Sequence, residues 1–158
     1  MKDKATGSNT LINNRKARYD FTILETLEAG IVLKGTEVKS IRAHKANVND
    51  SFGRVEDGEL FLYNFHIDPY EFGNLENHDP LRKRKLLLHS HEIKRLIGQV
   101  TQKGLTLVPL TVYLKHGRVK IGLALAHRKL KGDQREELKK KVADREAQGA
   151  MKRNRQRY

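Results

Sequence analysis

Two groups of residues in this chain have types and spacings that chemistry uses. His89 and His91 stand one residue apart, a spacing that puts two imidazoles on one face of a strand and suits a metal. Glu25, Glu28 and Glu37 supply carboxylates of the kind that hold divalent ions in nucleases. Neither group closes into a site. A helical pattern starts at Ser90, so the two histidines fall at a helix start, where they do not share a face, and no Asp/Glu cluster completes a ligand set. The carboxylates fit a strand face turned to water. The sequence holds no P-loop, no Gly-x-Ser-x-Gly elbow and no cysteine, which removes thiol nucleophiles, disulfides and Cys-type zinc sites. The expectation is a protein that is not an enzyme, with no cofactor and no metal.

Charge points elsewhere. Lys and Arg exceed Asp and Glu by 13 over 158 residues, an excess that suits a polyanion. The last 32 residues carry 12 Lys/Arg against 5 Asp/Glu, so the tail is the concentrated pole. Two further basic runs precede it: Arg15, Lys16 and Arg18, then Arg82, Lys83, Arg84 and Lys85. Singly, each run is an ordinary solvated face. Together they favour phosphate contacts with salt-dependent affinity.

The elements that must carry these residues follow from periodicity. Residues 1–13 read as a flexible N-terminus without the apolar core of a secretory signal, and the longest uncharged run, 104–114, is too short to span a bilayer. A cytoplasmic protein is expected. From Tyr19 an alternating pattern with Phe21, Ile23 and Leu27 on one face predicts a long strand. Thr36 is placed to cap a short helix through Val38 and Ile41. Asp57-Gly58 predicts a tight hairpin. Residues 68–85 read as a long exposed loop. Ser90 caps a helix over 90–103, with Ile93, Leu96, Ile97 and Val100 in register and Gly104 as terminator. A second hairpin turns at His116-Gly117, with Val108, Leu110, Val112 and Leu114 answering Val119, Ile121, Leu123 and Leu125; Pro109 argues for an edge or a bulge.

Five or six antiparallel strands with few helices make a mainly β protein, and a closed barrel of the oligonucleotide-binding (OB) type is the economical solution; a sandwich is the second. Phe61, Tyr63 and Phe65 alternate along one run and read as core rather than as a base-stacking row. RNA read by shape and backbone is favoured over single-strand stacking.

With the elements placed, the sequence resembles the SmpB family, the SsrA-binding proteins that partner transfer-messenger RNA. The runs that carry the resemblance are "NNRKAR" (13–18), "EAGIVLKGTEVKSIRAHKANVND" (28–50), "DPLRKRKLLLH" (79–89), "GLTLVPLTVY" (104–113) and "KIGLA" (120–124). The resemblance implies an OB-type barrel over 14–127 and a basic tail over 128–158. The barrel binds the tRNA-like domain of transfer-messenger RNA, while the tail enters the vacant messenger channel of a stalled ribosome and is helical when bound. Elongation factor Tu is implied as a partner through the charged RNA, and the protein acts as a monomer.

The resemblance places RNA-facing roles on Asn14, Glu28 and Leu87, with Glu37 and Lys39 in the matching motif. Glu28 cannot face a phosphate, so it accepts from a 2′-OH or base edge, or orients a neighbouring cation. Leu87 packs on a nucleobase or serves as a core leucine. Tyr19, Lys131, Asp133, Gln134, Arg135, Lys139, Lys140, Lys141, Arg145, Met151 and Lys152 fall on the implied ribosome and decoding-centre surface. Two positions depart from the family pattern: Tyr19 stands where histidine is common, and Gln134 where lysine is usual. From the residues alone, Asp133 is a helix N-cap, with Glu136 completing a capping box and Glu136–Lys140 and Glu137–Lys141 spaced as ion pairs. Leu138 and Val142 form too thin an apolar stripe to bury. The alternatives are a generic basic RNA-binding or ribosome-associated protein and, far behind, a nuclease.

Overall fold

A computed structural model describes residues 9–73, 75 and 77–155. The chain divides into two compact units, Met1–Arg128 and Lys129–Tyr158.

The first unit runs β1 (Asn9–Asn13), α1 (Arg15–Asp20), β2 (Phe21–Ile31), α2 (Gly35–Arg42), β3 (Ala46–Asn47), β4 (Phe52–Glu56), β5 (Glu59–Tyr63), β6 (His66–Ile67), β7 (Arg84–Leu87), α3 (Ser90–Lys103), β8 (Thr106–Lys115) and β9 (Arg118–Arg128). Seven strands form one antiparallel sheet in the order β1-β8-β4-β5-β7-β2-β9. Because β8 also pairs with β9, the ladder returns on itself as a ring from β8 through β4, β5, β7, β2 and β9. The mainly antiparallel sheet with flanking helices agrees with the sequence reading.

Both hairpin turns form as their dipeptides require. Asp57 and Gly58 have φ of 49° and 76°, and His116 and Gly117 have 51° and 73°, the left-handed pairs that match strand twist. Helix α3 ends on Gly104 at φ 61°. The caps differ from expectation by a residue or two. Glu37 accepts from the Lys34 amide at 2.7 Å and Glu92 from the His89 amide at 2.9 Å, so α2 and α3 start from Lys34 and His89. Thr36, freed from capping, bonds His78 Nδ1 at 3.0 Å.

Two bulges decide the core. Register shifts between Ile23 and Glu25 in β2, and between Pro109 and Thr111 in β8. An inserted residue flips every later side chain to the other face. Phe21 and Ile23 therefore pack with Val108, Leu110, Ala17, Ala124 and Ala126 in a small cluster, while Leu27, Ile31, Val112 and Leu114 join the main core. The single apolar faces expected for β2 and β8 are each split in two.

Other departures have equally local causes. Asn9–Asn13 pair with β8 as β1, with Leu11 and Ile12 against the main core, where a flexible segment was expected; residues 1–8 lie outside the described residues. Tyr19 sits on α1 rather than opening a strand. Leu60 and Leu62 are fully buried and face the core, so Phe61 and Tyr63 face outward; Asn64 at φ 56° breaks the alternation and returns Phe65 to the interior. The core reading thus holds for Phe65 alone. Between β4 and β8 the ring closes on one residue pair, Gly53 and Leu107. A Cβ on Gly53 would stand 2.9 Å from Leu107 Cβ, so the approach depends on glycine.

The second unit contains α4 (Lys131–Arg155), 25 residues exposed along nearly their whole length. Leu138 and Val142 are both half exposed. The helix begins at Lys131, which puts Asp133 in the first turn rather than at the cap. An acid there still complements the positive helix end. Glu137 pairs with Lys129 at 2.7 Å, and this pairing holds its carboxyl below the ordinary range; Lys141 adds a weaker pull.

Candidate nucleic-acid interface

The outer face of β8, β9, β2 and β7 carries a polar arrangement assembled from four distant segments. Tyr113 lies opposite Lys120, Lys120 opposite Gly30, and Gly30 opposite Leu87, so one row crosses all four strands. The neighbouring row is Thr111, Gly122 and Glu28. Alternation explains the exposure: Val119, Ile121 and Leu123 take the inner face of β9, leaving Lys120 and Gly122 outside.

Glu28 is the hub. It accepts a hydrogen bond from the Tyr113 hydroxyl at 2.5 Å and from Lys115 Nζ at 3.1 Å. The Tyr113 hydroxyl first, and Lys115 after it, hold the Glu28 carboxyl below its ordinary range against some desolvation. Burial and the facing carboxylate push the Tyr113 phenol upward, so it stays a donor at any working pH. Of the roles the sequence left open for Glu28, the geometry matches orientation of neighbours, with tyrosine and lysine in place of arginine.

Leu87 is 50% exposed while Leu86 is buried, so the core reading of Leu87 fails. It lies over Gly30, whose missing Cβ would approach Leu87 Cβ to 3.2 Å. Glycines at 30 and 122 keep the sheet surface low beside Leu87 and Thr111, which suits close approach of a flat or backbone-rich partner. Tyr113, Lys115 and Lys120 were not singled out from sequence, although the period-2 alternation of β8 and β9 already turns them outward.

The SmpB protein family matches residues 11–153. The chain belongs to the SmpB family. The SsrA-binding protein of Clostridium botulinum (strain Hall) is 57% identical over 155 residues, covering 98% of this chain and 99% of that one. The SsrA-binding protein of Halothermothrix orenii is also 57% identical, over 94% and 95% of the two chains. A solved chain from a study of transfer-messenger RNA and SmpB at the centre of the bacterial ribosome is 60% identical, with a TM-score of 0.64 over 76% of this chain and 85% of that one.

Other residues expected to face RNA on the SmpB resemblance are placed inside. Asn14 is fully buried: its amide donates to Val48 O at 3.1 Å and Pro109 O at 2.8 Å, and its oxygen accepts from the Ala17 amide at 2.9 Å. It caps α1 and ties α1 to β8, and both of its amide hydrogens are used inside the protein. Glu37 and Arg84 are also fully buried, joined at 2.8 Å, and Arg82 Nη2 reaches the second Glu37 oxygen at 2.7 Å. Arg84 further donates to Phe65 O at 2.6 Å and Arg82 O at 2.8 Å. Burial pushes the Glu37 carboxyl up, but Arg82, the Lys34 amide and Arg84 together hold it below its ordinary range.

The basic run 82–85 therefore divides by parity. Arg84 points in and Arg82 is spent on Glu37, while Lys83 and Lys85 are on the surface, paired with Glu56 at 2.9 Å and Glu59 at 2.5 Å. Arg84 and Lys85 belong to β7 rather than to the expected loop. Lys39 is exposed on α2 with its ammonium over the Tyr70 ring. Arg15, Lys16, Arg18 and Tyr19 are exposed on α1, with Lys16 paired to Asp50 at 2.6 Å. The tail positions Lys131, Asp133, Arg135, Lys139, Lys140, Lys141, Arg145, Met151 and Lys152 are exposed on α4, and Gln134 is half-buried.

Around the candidate metal positions, the His89 and His91 rings lie parallel with centroids 5.6 Å apart, because His89 is in the extended N-cap conformation. They do share a face, contrary to the sequence reading. Among the described residues no group of three or more His, Asp or Glu is placed to hold a metal. Among the described residues no helix is long and apolar enough to cross a membrane.

Proposed function

We propose that this protein binds the tRNA-like domain of transfer-messenger RNA and carries it to stalled ribosomes for trans-translation. The observation that carries the reading is the outer row Tyr113–Lys120–Gly30–Leu87 with Glu28 beside it, in a chain 57% identical to SsrA-binding proteins over nearly its full length. Lys115 and Lys120 meet phosphates, Tyr113 donates to the sugar or base edge, and Leu87 packs on an exposed base.

In this reading the ring of strands is an OB-type barrel spanning 14–127, and it acts as a binding surface without catalysis. The unit from 128 onward is the ribosome-facing tail. Its exposed helix, with Lys139, Lys140, Lys141 and Arg145, docks in the RNA-walled messenger channel, and Tyr19 stacks on decoding-centre RNA. The working form is a cytoplasmic monomer that meets elongation factor Tu through the charged RNA.

Two measurements test it. Protein lacking 133–158 is expected to bind transfer-messenger RNA with unchanged affinity and to fail at tagging nascent chains on stalled ribosomes. Tagging by the shortened chain would sink the two-part mechanism. Competition separates specific from generic basic binding: duplex RNA of equal length that displaces transfer-messenger RNA one for one contradicts the proposal.

A further inference from the structure

We propose that the outer face of β4, β5 and β7 is a second RNA surface, one that takes an unpaired strand by base stacking. Its residues differ from those around Glu28, and the argument stands whether or not that reading holds.

Three aromatic side chains lie on this face. Phe52 and Tyr63 are directly opposite each other and stack, with centroids 5.5 Å apart and planes 10° from parallel. Phe61 follows on β5, flanked in register by Arg54 on β4 and Lys85 on β7. Lys83 Nζ stands 4.7 Å from the Phe61 ring centre. All three rings are half-buried although Leu60 and Leu62 fill the core side of the same strand. Three rings held at a sheet surface expose apolar area that folding has no need to expose.

The charges around the rings select the occupant. Arg54, Lys83 and Lys85 stand against Glu56 and Glu59, and each lysine has a carboxylate partner on the same face. Such exposed pairs are worth little, so phosphates can draw the lysines away at small cost. Alternating rings and cations match the repeat of a single strand, in which every base offers a flat face and every phosphate a charge. A duplex cannot use the rings, because its bases are already stacked and paired. The strands β4, β5 and β7 are hydrogen-bonded neighbours in that order, so the rings and cations share one continuous outer face. At the far end Phe52 also lines an open cleft of about 340 Å3 with Phe21, where Lys16 and Arg128 stand beside Asp20 and Asp50.

The test titrates the full chain into fluorescein-labelled ten-residue oligoadenylate RNA and reads anisotropy. Replacing Phe61→Leu or Tyr63→Leu is expected to weaken binding by about tenfold each, the scale of one lost base–aromatic stack. Tyr63→Phe keeps the ring and should bind like the parent chain. Arg54→Glu, an exposed change with no packing to lose, should weaken binding and flatten its salt dependence, so the proposal stays testable if a leucine variant melts early. Unchanged affinity in Phe61→Leu overturns the proposal, as does a ten-base-pair RNA duplex that competes as well as unlabelled oligoadenylate. Failure of the parent chain to bind a tRNA-like RNA fold would count against the function proposed above and leave this result standing.

Discussion

Glu28 and Tyr113 lie 85 residues apart in sequence and meet at 2.5 Å on the surface of the sheet. The bond exists because β9 lies between β2 and β8 and aligns both with Gly122, whose lack of a side chain leaves the space above it open. A Cβ there would stand 2.4 Å from Thr111 Oγ1. Glu28 thus fixes the direction of a phenol and an ammonium on this face.

That arrangement predicts coupling. Glu28→Ala and Tyr113→Phe should each weaken RNA binding by roughly tenfold, about 1.4 kcal/mol. The double variant should lose distinctly less than the product, because either change alone already frees the other group. Filter binding at fixed salt measures all four chains; strictly multiplicative losses contradict the coupling.

Glu37 sets a different expectation. Removing it by Glu37→Ala leaves Arg84 buried as an uncompensated cation, since guanidinium does not deprotonate in proteins. The cost is about 3–5 kcal/mol by urea denaturation, and Glu37→Leu with Arg84→Met should recover most of it. The folded carboxyl titrates below its unfolded value of about 4.3, so its contribution is full above that pH and fades as pH falls through the lower folded value. Melting temperature should therefore drop steeply in the acid range below pH about 4 in the parent chain. The Glu37→Leu/Arg84→Met chain should show a shallower drop, and identical acid profiles would refute the assignment.

Asn14 separates folding from contact. Asn14→Ala removes an N-cap and strands two buried carbonyls, at a cost on the order of 2–4 kcal/mol. RNA affinity measured well below the lowered melting temperature should be unchanged. A weakened affinity in a chain shown folded by circular dichroism would mean that Asn14 reaches RNA directly.

Gly53→Ala tests ring closure. The added methyl meets Leu107 Cβ at 2.9 Å and should cost about 1–3 kcal/mol by forcing β4 from β8. Amide exchange should quicken in β4 and at Leu107 before it does in the β2–β9 ladder. Uniform acceleration across the sheet would argue that the narrow junction is not the weak point.

Local chemistry was legible in the sequence. Asp57-Gly58, His116-Gly117, the period of α3 and its Gly104 terminator each act over a few residues, and all appear where they were read. The β9 face of Val119, Ile121, Leu123 and Leu125 also survived, because the inserted residues at the two bulges lie in β8 and β2 and none lies in β9. The basic excess pointed to a polyanionic partner, and the motif runs carried the resemblance to the SmpB family.

Whatever depended on partners far along the chain required the tertiary structure. A bulge is a mismatch between two strands, so neither strand announces it, yet the bulges in β2 and β8 divided both apolar faces between two clusters. Parity then turned Phe61 and Tyr63 outward and Arg84 inward, against what composition suggested. Asn14, Glu37 and Arg84 look like surface contacts in a basic sequence, and only the tertiary structure places them inside, bonded to Pro109, Arg82 and Phe65. Polarity and local turn signals are properties of a residue and its neighbours, and the sequence alone determined them. Which polar groups stay on the surface and which meet each other depends on the register of strands up to 85 residues apart, and that the fold alone decided.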